Sequence, residues 1–173
     1  MNTLGLNVST PSDRQILMTR TFNAPRRLVW DAMTKPELVR RWMFTPPGWT
    51  WAQCEMDVRV GGKFRWVWNG PDGQMGLTIT GEHKEVIPPQ KLVHTEHMEM
   101  GPGAGACGPS CDEAEPWELL ATLELSEHAG RTQLRMTLDF PSTQARDTAL
   151  ASGMEHGVSS GYDTLDQMLQ ASM

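Results

Sequence analysis

The chain has 173 residues, 39% of them hydrophobic and 21% charged, which is one domain's worth of sequence and enough to bury a core without a metal or disulfide staple. Fifteen Lys and Arg against 21 Asp and Glu leave a net charge of −6, the opposite of the basic stripe that nucleic-acid binders carry. No apolar run approaches the ~18 residues of a membrane span, the first ten residues lack the basic and apolar parts of a secretory leader, and three cysteines suit a reducing cytoplasm better than a secreted disulfide scaffold.

Residues 1–14 are polar, carry Pro11 and show no periodicity, so a loose lead-in is expected before a single domain over 15–173. Gln15 to Phe22 reads as a strand that stops at Asn23-Ala-Pro25. Pro25 suits the first position of a helix, where a missing N–H costs nothing. Val29, Trp30 and Met33 then share one helical face, with Asp31 and Lys35 spaced i,i+4 on the other. Pro36 ends that helix and opens a second, striped by Leu38, Val39 and Trp42.

After Thr45-Pro-Pro-Gly48 the period changes from 3.6 to 2. Ala52, Cys54, Met56 and Val58 alternate with polar residues up to the turn Gly61-Gly62, and Phe64, Trp66 and Trp68 alternate up to Gly70-Pro-Asp-Gly73. Met75, Leu77 and Ile79 carry the next strand, in which Gly81 suggests a bend or bulge, and Lys91 to Glu99 follows Pro88-Pro89. Residues 101–116, rich in Gly and Pro, are expected as an exposed, mobile loop. Two clean strands come next, the first with Trp117, Leu119, Ala121, Leu123 and Leu125 on one face, the second with Leu134, Met136, Leu138 and Phe140. Beyond Pro141, Ser142 or Thr143 can cap a long helix that runs nearly to the C-terminus.

The order β-α-α-β6-α implies an α+β protein: an antiparallel meander with one wet side, its apolar side covered by the last helix. One helix must cover rows of Trp, Met, Phe and Leu from six strands, and it carries a row of small residues, Ala145, Ala149, Gly153, Gly157 and Gly161. Two readings of that row stand: it fronts a ligand cavity, or it packs closely against bulky tryptophans. Seven Trp and twelve Met suit an adaptable apolar pocket, although most such residues serve packing. Trp42, Trp51, Trp66, Trp68, Met75, Met136 and Met154, beside Gly157 and His97, are the candidate ligand-binding residues.

Other chemistry is thin. Asp57 and Arg59 share a strand face and read as turn and edge structure. Cys107 and Cys111 lie in the glycine-rich loop, and His94 and His97 have opposite parity on one strand, which does not build a four-ligand zinc site. No Gly-x-Ser-x-Gly elbow, P-loop or His-Glu-x-x-His motif occurs. No metal and no cofactor are expected.

An ordered set of short motifs remains. It runs through Arg20-Thr-Phe-Asn-Ala-Pro25, Val29-Trp30, Lys35-Pro-Glu37 and Trp42 to Asp57-x-Arg59-x-Gly61-Gly62-x-Phe64-Arg65. It continues with Asp72-Gly73, Gly81, Glu85-Val-Ile-Pro88, Leu92-Val93, Thr95-Glu96 and Met154-x-x-Gly157-x-x-x-Gly161-Tyr162-Asp163-x-Leu165-Asp166. Over about residues 16–170 the chain resembles the activator of heat-shock protein 90 ATPase homologue family, within the START, polyketide-cyclase and birch-pollen-allergen-like (SRPBCC) superfamily. The resemblance implies a helix-grip fold, a curved antiparallel sheet wrapped around the C-terminal helix with an apolar cavity between them. Function transfers poorly across this fold. The expected function is therefore non-catalytic binding of a small hydrophobic, lipid-like or amphipathic molecule, by a monomer or homodimer. One alternative is a cavity enzyme using His83, His97, Glu82 or Glu96 as acid or base. Another is a stress-response accessory with a chaperone partner, which would need an apolar patch on the outer sheet face.

Overall fold

The computed structural model describes residues 5–104 and 118–173. Its strands are β1 (Asn7–Ser12), β2 (Gln15–Phe22), β3 (Thr50–Met56), β4 (Lys63–Asn69), β5 (Met75–Ile87), β6 (Lys91–Met100), β7 (Glu118–His128) and β8 (Arg131–Asp139). Helices α1 (Arg26–Thr34) and α2 (Pro36–Trp42) follow β2, while α3 (Thr143–Ala151) and α4 (Met154–Ala171) close the chain; a 3-10 turn occupies Pro102–Ala104. All strands join one antiparallel sheet in the order β1-β2-β8-β7-β6-β5-β4-β3. This is the expected α+β helix-grip architecture with one strand more.

The extra strand is a correction. Part of the segment expected as a loose lead-in pairs with β2, Val8 opposite Met18. A second correction concerns the terminal helix. Ser142 does cap it, its Oγ accepting from the Ala145 N–H at 3.1 Å, yet the helix breaks at Gly153, which sits at φ 79°. Left-handed backbone is unfavourable for any residue with a Cβ, so glycine sets the break. The loop expected over 101–116 and the first residue of the following apolar row, Trp117, fall largely outside the described residues, as do Cys107 and Cys111.

Pro36 opens α2 at its first turn, as expected, whereas Pro25 stands one position earlier, as the cap of α1. Its carbonyl accepts from the Leu28 and Val29 amides. Gly61 turns the β3–β4 connection at φ 81°. The ladder irregularity of β5 falls between His83 and Glu85. Gly81 has another role: a Cβ there would overlap the Thr95 carbonyl oxygen and the Phe64 ring, so glycine leaves room for that ring.

The core divides into three clusters. Fully buried Phe22, Leu123 and Leu134 pack with Leu165 of α4 and with residues of α1, and Ile16 packs with Leu138 of β8 and with Ala145 and Ala149 of α3. Over β3–β5, Cys54, Phe64, Trp66 and Trp68 pack with Val39 of α2. The small-residue row resolves accordingly. Ala145 and Ala149 face β2 and β8 in the apolar core, Gly153 makes the break, and Gly157 and Gly161 admit Phe44, whose atoms would lie 3.2 Å from a Cβ at either glycine. Close packing accounts for the row except at Gly153, where the backbone conformation does.

Candidate ligand site on the concave face

Strand alternation and register decide which side chains line the grip. On β6, Leu92, His94, Glu96 and Met98 point to the concave side, opposite Leu123, Ala121 and Leu119 of β7. Leu77, Ile79 and His83 of β5 and Phe64, Trp66 and Trp68 of β4 share that side. His97 has the other parity. It pairs with Thr80 and Glu118 on the convex side, so it does not line the grip; that expectation is corrected by register. Glu82 also faces outward, ion-paired to Lys84 at 3.0 Å.

Of the remaining candidates, Trp51, Trp66 and Trp68 come together on β3 and β4, the Trp51 and Trp68 rings 4.2 Å apart. Trp42 belongs to the packed half instead: its Nε1 donates to the Ala32 carbonyl at 2.8 Å and its ring lies 5.7 Å from Tyr162. Met136 and Met154 border the core under α3, and Gly157 faces Phe44. Met75 stands at the open end of β5. There it joins Met98 and Met100, three methionines at 37%, 42% and 53% exposure, in a strip of adaptable apolar surface that leads to Leu77, Ile79 and the tryptophans.

Deeper along the same strands lies a polar group that the sequence reading only partly anticipated. His83 and His94 face each other across β5 and β6, ring centroids 5.9 Å apart and nearly perpendicular. Phe64 packs against both at 5.6 and 5.1 Å. His94 Nε2 lies 2.9 Å from Glu96 Oε1. His83 is 1% exposed, and neither of its ring nitrogens has a hydrogen-bond partner among the described residues. The same is true of His94 Nδ1 and of Nε1 in Trp51, Trp66 and Trp68. Burial, reinforced by His94 and opposed by Asp57, pushes the His83 pKa down to about 4, so the ring is neutral at physiological pH. Across the grip, Tyr162 is held protonated by burial and by the charge of Glu96, with Arg20 opposing.

Two surface clefts lie elsewhere. One of about 150 Å³ is bounded by Arg27, Trp30, Asp31, Pro88 and Pro89. The other, about 330 Å³, is lined by Ile87, Gln90, Lys91, Glu124, Leu125, Ser126 and Arg135. Neither is lined by α4. Asp57 and Arg59 pair at 2.7 Å on the surface after β3, the structural role expected of them. No group of three His, Cys, Asp or Glu among the described residues is placed to hold a metal.

This arrangement of a curved antiparallel sheet and its helices defines a class. The family described as "Activator of Hsp90 ATPase homolog 1-like protein" matches residues 23–170, and the chain belongs to it. Among solved structures, a protein from Rhodobacter sphaeroides is 31% identical with a TM-score of 0.80, over 96% of this chain and 98% of that one. Proteins from Nitrosomonas europaea (TM-score 0.74, 94% and 98% covered) and Mycobacterium smegmatis (0.75, 96% and 98%) are each 22% identical and share the fold. A comparison with functionally curated proteins returns no match. Among the described residues, no helix is long and apolar enough to cross a membrane.

Proposed function

We propose that the protein binds a small amphipathic molecule against the concave face of β4–β6 and acts as a non-catalytic carrier or sensor. The observation that carries this reading is the set of buried ring nitrogens on one half of the grip, in His83, His94, Trp51, Trp66 and Trp68, with no partner among the described residues. Native proteins leave few buried polar atoms unpaired, and a clustered group calls for an occupant. The half-exposed methionine strip at the strand ends supplies an apolar approach to them, and a concave, mostly apolar site with a few polar atoms is the usual form of a small-molecule site. The uncharged probe N-phenyl-1-naphthylamine, excited through tryptophan, should saturate near one molecule per chain and be displaced by some members of a panel of long-chain alcohols, fatty acids and polycyclic compounds. Non-saturable signals across the panel would reject the reading.

A cavity enzyme of cyclase, hydrolase or lyase type is favoured by one contact. The carboxylate of Glu96 orients His94 at 2.9 Å, the relationship by which an acid–base imidazole is held for proton transfer. Substrate turnover that His94→Gln abolishes while probe binding persists would establish it. A chaperone accessory is less well supported, since the convex rows of Gln53 and Glu55 and of Gln133, Arg135 and Asp139 are polar.

A further inference from the structure

The hydrogen-bonding state of the histidine pair restricts what the guest carries at its inner end. As a carboxylate Glu96 only accepts, so His94 Nε2 donates to it, while His94 Nδ1 has no partner among the described residues. His83 offers one N–H and one lone pair, both without a partner among the described residues. Three ring nitrogens are thus without a partner among the described residues, on two rings whose centroids lie 5.9 Å apart and which both pack against Phe64.

Charge narrows the choice further. Glu96 contributes a negative charge, and Arg20, the buried cation of β2, is already bound to Asp163 at 2.7 Å. An anionic head group would meet Glu96 and a neutral imidazole in a poorly hydrated place, with its charge uncompensated. A purely apolar guest would leave the ring nitrogens unpaired.

We propose that the inner end of the guest is an uncharged hydroxyl, an alcohol or phenol, seated between His83 and His94 and hydrogen-bonded to a ring nitrogen of each. This rests on the ligand-binding reading above and adds the class of ligand. Met98 lies four positions beyond His94 along β6, about 13 Å of extended strand, which is the length of apolar body that reaches from the hydroxyl to the methionine strip.

The test uses three guests of one shape, 2-naphthol, naphthalene and 2-naphthoate, titrated calorimetrically into the intact protein near neutral pH. 2-Naphthol should bind roughly ten-fold or more tightly than naphthalene, the ordinary effect of pairing buried polar atoms that are otherwise left unpaired, and 2-naphthoate should bind more weakly than both. Only 2-naphthol should move the ring nitrogen resonances of His83 and His94 together. In His83→Leu the naphthol preference over naphthalene should fall several-fold, with retained naphthalene binding reporting a folded site. If 2-naphthoate equals or exceeds 2-naphthol, if naphthol and naphthalene bind alike, or if naphthol leaves the histidine resonances unmoved, the hydroxyl assignment is overturned while binding itself stands. If none of the three binds, both the assignment and the carrier reading are overturned.

Discussion

Arg20 of β2 and Asp163 of α4 form an ion pair of 2.7 Å in which the guanidinium is 5% exposed and the carboxylate 64% exposed. The contact pins the terminal helix to β2, 143 residues away in sequence, and the guanidinium also lies over the Phe22 ring at 5.3 Å. The pair is made through Nη1, and Arg20 Nε has no partner among the described residues, so the pair leaves little in reserve. Asp163→Ala should cost about 1–3 kcal/mol of unfolding free energy, well above an ordinary surface bridge, because a buried charge is left uncompensated. Arg20→Met in the same background should recover part of that loss. Urea unfolding of the two single variants and the double variant measures both effects.

Acid should weaken the fold through His83. Its folded pKa, about 4, lies below the unfolded value near 6.5, so the unfolded chain takes up the proton first as pH falls. The stability conferred by the neutral ring is complete above pH ~6.5 and declines progressively toward pH ~4, by about 2–3 kcal/mol. The neighbouring His94 adds to the shift and Asp57 opposes it. His83→Leu should flatten this part of the profile, as denaturant midpoints at several pH values would register.

Two glycines should respond to alanine for different reasons. Gly153→Ala meets no atom within 4 Å and is penalised by its φ of 79°, costing about 1 kcal/mol. Gly81→Ala drives a methyl into the Thr95 carbonyl and the Phe64 ring and should cost about 3 kcal/mol, with a weakened Phe64–His83–His94 contact. Thermal melts rank the two variants, and histidine resonances separate them.

Cys54 should resist thiol reagents in the native state. Burial pushes its thiol pKa up, only partly offset by Arg40, and Sγ lies 3.7 Å from the Pro36 carbonyl. The thiolate is the reactive form. Peptide mapping after a pulse of iodoacetamide should find Cys54 unlabelled under native conditions and labelled in denaturant.

Much of the architecture is legible in the residues because period-2 alternation and proline placement act locally. β2 occupies the expected Gln15–Phe22, and Pro36 opens α2 as expected. β1 escapes such a reading because Asn-Val-Ser-Thr-Pro-Ser offers Val8 alone to the apolar core; its pairing is decided by β2, not by its own pattern. The concave side of β6 is hidden for another reason. Leu92 and Val93 are both apolar and both buried, so alternation alone does not say whether His94 or His97 faces inward. The answer comes from the partners, Ala121 opposite His94 and Glu118 opposite His97. The opposite parity of the two histidines, by contrast, follows from spacing. The match of His83 to His94, beside a ladder irregularity, is a tertiary fact with no short-range signal.

The added first strand has a bearing on how copies of the chain meet. An open sheet ends in two unpaired rims, and an unpaired rim is a template on which a neighbour can extend the ladder. On β1 that rim is short and polar, interrupted by a register shift between Ser9 and Ser12 and by Pro11, which has no amide hydrogen to offer. By covering β2, whose backbone would otherwise stand open, the segment acts as a built-in selvedge that discourages edge-wise polymerisation.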